Sequence, residues 1–95
     1  MEIRVVATIV AKPEFKAQVT EALLEVIEPS RQEVGCLQYE LHRDLDKEGT
    51  FVFYERWKSE EALNQHNNTS HFQHFAASLE GKLDELTIRR LKTLA

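Results

Sequence analysis

Glu55, Trp57, His66 and His71 are the side chains of this sequence best suited to acid–base chemistry around a bound ring, and they fall in one short stretch. Glu55 sits in Phe51-Val52-Phe53-Tyr54-Glu55-Arg56-Trp57, a run whose period of two puts Phe53, Glu55 and Trp57 on one face of a strand. A carboxylate among aromatic rings loses hydration, and its pKa rises unless a partner supports the charge. Such a group can act as a base or hold a histidine in place. A structural ion pair with an arginine or lysine of the sheet is the alternative. His66 follows Ala62 and Leu63 at helical spacing and so shares their inward face, where an imidazole exchanges protons near neutral pH. The bland alternative is a buried histidine satisfied by a backbone carbonyl. These readings make His66 and Glu55 the candidate catalytic pair.

His71 falls in the first turn of the next helix and faces either the same cavity or solvent. His74, three residues on, gives a pair that can in geometry ligate a metal. With no thiolate nearby and only weak third ligands, no metal is expected. Tyr39, Phe53, Trp57, Phe72 and Phe75 can line a flat apolar pocket suited to a planar aromatic ligand, with His71 at its edge. Ordinary core packing accounts for some of these rings.

The elements that must position these groups are legible from spacing. Ile3, Val5, Ala7 and Ile9 alternate along a first strand. Pro13 suits a first helical turn, and Phe15, Val19, Ala22, Leu23, Val26 and Ile27 make one helical stripe. Pro29 predicts a kink or stop. Gly35 turns the chain into a strand in which Leu37, Tyr39 and Leu41 alternate. Asp44 to Gly49 reads as a hairpin loop before the strand from Phe51 to Trp57. Ser59 is an N-cap. Ser70-x-x-Gln73 predicts a capping box for a helix with Phe72, Phe75, Ala76 and Leu79 on its buried face. Leu86 to Leu94 is a last strand.

The order β-α-β-β-α-β is the ferredoxin-like α+β arrangement, with an antiparallel sheet covered by helices on one face. Its second face is too apolar to be simply wet. Val6, Val10, Val52 and Tyr54 alternate away from the core positions. A second copy covering that face is the economical expectation, and a monomer with an open apolar face is the alternative.

With 95 residues the chain is expected to be a single domain, 1–95. A net charge of −4 with scattered basic residues excludes a phosphate-backbone binder, so no nucleic-acid partner is expected. The one cysteine, Cys36, cannot form an internal disulfide and reads as a small buried hydrophobe. No basic stretch precedes an apolar run at the N-terminus, and no segment approaches the length of a membrane span. The expectation is a soluble cytoplasmic protein with no membrane association. There is no Gly-x-Gly-x-x-Gly and no phosphate loop, so no nucleotide, flavin or other cofactor is expected.

Glu33-Val34-Gly35-Cys36-Leu37, then the aromatic strand ending Glu55-Arg56-Trp57, then a helix bearing His66, resembles the antibiotic biosynthesis monooxygenase (ABM) family, in particular its quinol-monooxygenase-like members. The resemblance implies a dimeric α+β barrel and a cofactor-free oxygenase whose partners are a small electron-rich aromatic substrate and O₂. Members that oxidise polycyclic antibiotic precursors use an asparagine four residues before the tryptophan and a tyrosine on the next helix. Phe53 and Leu63 stand there in this chain. Haem-degrading relatives use an asparagine on the first strand, where this chain has Thr8. Neither substrate class is expected. Two other readings stay open: a proton-transferring isomerase of the autoinducer-degrading type, and a non-catalytic ligand-binding dimer.

Overall fold

A computed structural model describes all 95 residues. Four strands form one antiparallel sheet in the order β2-β3-β1-β4, with β1 at Ile3–Ala11, β2 at Cys36–Arg43, β3 at Thr50–Trp57 and β4 at Leu83–Leu91. Four helices cross one face: α1 Lys16–Glu25, α2 Ile27–Arg31, α3 Glu60–Asn67 and α4 Ser70–Leu79. This is the ferredoxin-like α+β fold.

The alternation in β1 is obeyed residue by residue. Ile3, Val5, Ala7, Ile9 and Ala11 are buried and the residues between them are half-buried. β3 pairs with it in register, Val5 opposite Glu55 and Ala7 opposite Phe53, so the helix-facing side presents Phe51, Phe53, Glu55 and Trp57 as one buried row. Val19, Leu23 and Val26 of the first helical segment close over these strands with 0–2 % exposure.

Four details depart from the sequence reading. The first helix breaks at Val26, which ends α1 and starts α2. Pro29 then lies in the first turn of α2, where its missing N–H leaves no helical bond unmade. The cap of α4 is Thr69, whose side chain accepts from the Phe72 amide. Gln73 instead donates to the Asn67 carbonyl, so no Ser70–Gln73 box forms. The last strand runs Leu83–Leu91, because β1 supplies partners only from Ala11 opposite Leu83 to Arg4 opposite Leu91. Finally, the β2–β3 register shifts between Cys36 and Gln38. Leu37 is the bulged residue and is 48 % exposed, while Tyr39 is carried inward opposite Glu55.

Gly35 is required by close approach. A Cβ built there would stand 2.3 Å from the Ala62 Cβ at the start of α3. The Gly35 carbonyl also accepts from the Lys58 amide at 2.9 Å. The turn ahead of β2 is therefore pressed against the N-terminal end of α3, which brings Glu33 within reach of that helix.

On the other side of the sheet no helix is present. Val6, Thr8, Val10, Val52 and Tyr54 are half-buried there by their neighbours alone. One end of that face carries an ion network in which Glu2 accepts from Arg56 at 2.7 Å and from Arg4 at 3.3 Å. No helix is long and apolar enough to cross a membrane.

Candidate active site

A cavity of about 630 Å³ lies between the sheet and helices α3 and α4. Its wall is mostly apolar and includes Tyr39, Phe53, Leu63, Phe72, Phe75 and Ile88, with Glu55 as its buried carboxyl and His66 as its buried imidazole. β4 forms the far rim, where Leu86 and Ile88 are more than half exposed. The cavity is thus a cleft that opens along that strand.

Glu55 is 6 % exposed. One of its oxygens accepts the indole N–H of Trp57 at 2.8 Å, and no ion pair of the molecule involves it. Burial pushes its pKa up to about 7, the Trp57 bond pulls against that, and the charge of Glu33 adds to the rise. The carboxyl group is therefore poised between acid and base at neutral pH.

His66 is 1 % exposed. Its ring lies over Trp57 with centroids 4.4 Å apart and is flanked by Phe72 at 5.0 Å and Tyr39 at 5.6 Å. Its Nδ1 lies 2.6 Å from Glu33 Oε2. A carboxylate only accepts, so Nδ1 carries the ring proton and Nε2 carries the lone pair. That Nε2 is buried and has no hydrogen-bond partner. Burial lowers the pKa of His66, against the opposing pull of Glu33, which keeps the free imidazole neutral at pH 7. A buried polar atom without a partner costs free energy, and such atoms concentrate where a ligand completes the bond.

His71 reaches the same Glu33 oxygen, its Nε2 at 2.7 Å. It belongs to the wall of a separate, smaller pocket with Val26, Pro29 and His74, outside the cavity. Trp57 also lies behind the cavity wall: it touches the site through Glu55 and through its stack with His66. Tyr39, Phe53, Phe72 and Phe75 do line the cavity. The Tyr39 hydroxyl is pushed up in pKa by burial and by Glu55, so it stays a neutral phenol. Cys36 is likewise held as a thiol by burial and by Glu33.

Glu33 is the functional group absent from the candidate residues of the sequence. It lies in an irregular turn, where periodicity assigns no face, and its partners lie 33 and 38 residues away. The one available signal was the acidic position ahead of Gly35-Cys36-Leu37. Glu33, His66 and His71 are also the residues able to hold a metal: one donor atom of each lies within 4.8 Å of the others.

An antiparallel sheet roofed by helices over an apolar cleft, with a Glu–Trp pair beside a buried imidazole, defines a small α+β domain of one class. The chain belongs to the antibiotic biosynthesis monooxygenase family, whose sequence pattern matches residues 2–78. It is 41 % identical over 71 residues to YcnE of Bacillus subtilis, covering 75 % of each chain. It is 30 % identical over 77 residues to Rv0793 of Mycobacterium tuberculosis, covering 81 % of this chain and 75 % of the other. Both relatives are named as candidate monooxygenases. Among solved structures, PA3566 of Pseudomonas aeruginosa superposes with a TM-score of 0.93 at 37 % identity, covering 99 % of this chain and 95 % of that one.

Proposed function

We propose that this protein is a cofactor-independent monooxygenase of quinol-like aromatics, with His66 as the base and Glu55 as the acid. The observation that carries the reading is the buried, unpartnered Nε2 of His66 in a residue of the cavity wall. Family membership supports the monooxygenase role.

The chemistry needs little from the protein because a quinolate is itself electron-rich. His66 Nε2 takes the phenolic proton. The anion passes one electron to O₂, and the radical pair combines to a C–O–O bond ortho to the oxygen. The peroxide takes the proton back from His66. His66, neutral again, then takes the ring C–H proton as the O–O bond breaks, Glu55 protonates the departing oxygen as water, and the proton left on His66 restores Glu55 by exchange once product leaves. One quinol and one O₂ give one hydroxyquinone and one water. The apolar walls exclude solvent, which keeps the anion reactive and the radical pair together.

The experiment is oxygen uptake by purified protein with a panel of 1,4-hydroquinones. The expected result is uptake at one O₂ per quinol, with His66→Ala lower by about 10²–10⁴ in kcat. Unchanged oxidation by His66→Ala would remove the base, and no uptake with any quinol would remove the reaction. A second reading, proton-transfer isomerisation, draws on the neutral imidazole of His66 and the raised carboxyl of Glu55 lining one cavity. It predicts substrate conversion with no oxygen consumed.

We propose further that the working unit is a homodimer formed through the helix-free face of the sheet. The half-buried Val6, Val10, Val52 and Tyr54 support it, since no helix of the chain covers them.

A further inference from the structure

Glu33 Oε2, His66 Nδ1 and His71 Nε2 converge from three separate segments: the turn before β2, the last turn of α3 and the first turn of α4. The joint between α3 and α4 is itself locked. Thr69 Oγ1 donates to the His66 carbonyl at 2.8 Å and accepts from the Phe72 amide at 3.2 Å. The backbones that carry the two imidazoles are thus fixed relative to each other independently of Glu33. Glu33 is 14 % exposed in its side chain, and its only polar side-chain partners are these rings; no lysine or arginine pairs with it. A desolvated carboxylate with no fixed cation calls for a positive partner.

We propose that Glu33, His66 and His71 form a binding site for a divalent first-row transition metal such as Zn²⁺, and that its occupancy silences His66 as a proton acceptor. Two imidazoles and a carboxylate are a donor set suited to such ions. Donors around Zn²⁺ at 2.0–2.1 Å bonds stand about 3.3 Å apart. The present spacings of 2.6 and 2.7 Å are those of N–H···O bonds. Loading then needs the Glu33 oxygen to draw back by less than about 1 Å, and the two ring nitrogens, which lie within 4.8 Å of each other, to settle at a similar spacing by side-chain rotation. The side chain of His71 is one-quarter exposed and gives the ion a way in from solvent.

The consequence follows from the tautomer. A neutral imidazole that binds metal through Nδ1 carries its proton on Nε2. The ring atom offered to the substrate changes from acceptor to donor, with no net loss of protons from the ring. The silencing half of the proposal rests on the function proposed above, whereas the binding half does not.

The test uses the full chain stripped with a chelator and titrated with Co²⁺ by visible absorption and with Zn²⁺ by calorimetry. One equivalent per chain is expected, with the ligand-field bands of a nitrogen–oxygen site. Affinity is expected to fall by more than about a hundredfold in His71→Ala and Glu33→Gln, and to be unchanged in the neighbouring control His74→Ala. Circular dichroism verifies that the variants fold. Saturating Zn²⁺ is expected to lower quinol oxidation by at least about tenfold, and His71→Ala to remove that sensitivity. Absence of stoichiometric Co²⁺ binding, or binding that survives in His71→Ala, overturns the site. Zn²⁺ bound at this site with turnover unaffected overturns the silencing. Co²⁺ absorption requires no substrate, so failure of the site and failure of the quinol reading are told apart.

Discussion

Glu33 and His66 are 33 residues apart in the chain and 2.6 Å apart in the fold. That one bond decides which nitrogen of a buried imidazole is free. It also makes Glu33 a positioning residue: outside the cavity itself, it orients the His66 ring, and its charge adds to the rise in the Glu55 pKa. Glu33→Ala is expected to lower kcat by about tenfold to a hundredfold with KM little changed, since it removes orientation and leaves the cavity wall intact. ¹⁵N spectra of the imidazoles provide the check that a purely structural role would not move. The wild type should show His66 protonated at Nδ1, and the variant a mixture of tautomers.

Glu55 gives a pH signature. Its pKa rises from 4.5 to about 7 on folding. A carboxyl raised in this way favours the folded state below its unfolded pKa, and the benefit is lost as pH climbs through the folded value. Stability is therefore expected to decline between about pH 4.5 and 7 by up to about 3 kcal/mol from this group. Denaturant unfolding at pH 5 and pH 8 measures it. Glu55→Gln, which keeps the acceptor for Trp57, should flatten the difference. An equally steep profile in the variant would place the dependence elsewhere.

Gly35 and Ala62 make a steric pair. The 2.3 Å approach of a Cβ at position 35 to Ala62 leaves no room for a methyl group. Gly35→Ala is expected to destabilise by about 1–3 kcal/mol and to weaken the Glu33–His66 contact by moving the turn. Adding Ala62→Gly should recover much of the loss. A double-mutant cycle by chemical denaturation isolates the coupling, and additive effects would show that the clash is relieved some other way.

The helix-free face of the sheet tests the proposed dimer. Tyr54 and Val52 lie on it beside β1 partners Val6 and Thr8. Val52→Asp with Tyr54→Asp places two charges on each copy of a two-fold interface. Sedimentation equilibrium is expected to give a dimer for the wild type and a monomer for the variant. The same mass for both would exclude this face.

The strands, the helical stripes and the Ser59 cap were legible because each is a local pattern: period two, helical spacing and a hydroxyl before an acidic first turn. So were the inward faces of Glu55 and His66, since each shares a periodic face with apolar neighbours. The Leu37 bulge was not legible. It arises where Cys36 and Gln38 pair with adjacent residues of β3, and pairing is a property of two strands. The cap of α4 differed for a similar reason. Thr69 and Ser70 are both capable, and the close of α3, where Thr69 bonds the His66 carbonyl, chose between them.

By itself the sequence determined which side of each element is apolar, and with that the fold and the placing of a carboxylate and an imidazole toward the interior. Only the tertiary structure decided what those groups do to each other. It pressed Gly35 onto Ala62, delivered Glu33 to His66 and His71, and moved His71 and Trp57 behind the cavity wall. The physical reason is that hydrogen bonds and proton positions act over a few ångströms between residues tens of positions apart. Periodicity fixes a direction from the backbone and carries no information about what stands at the other end.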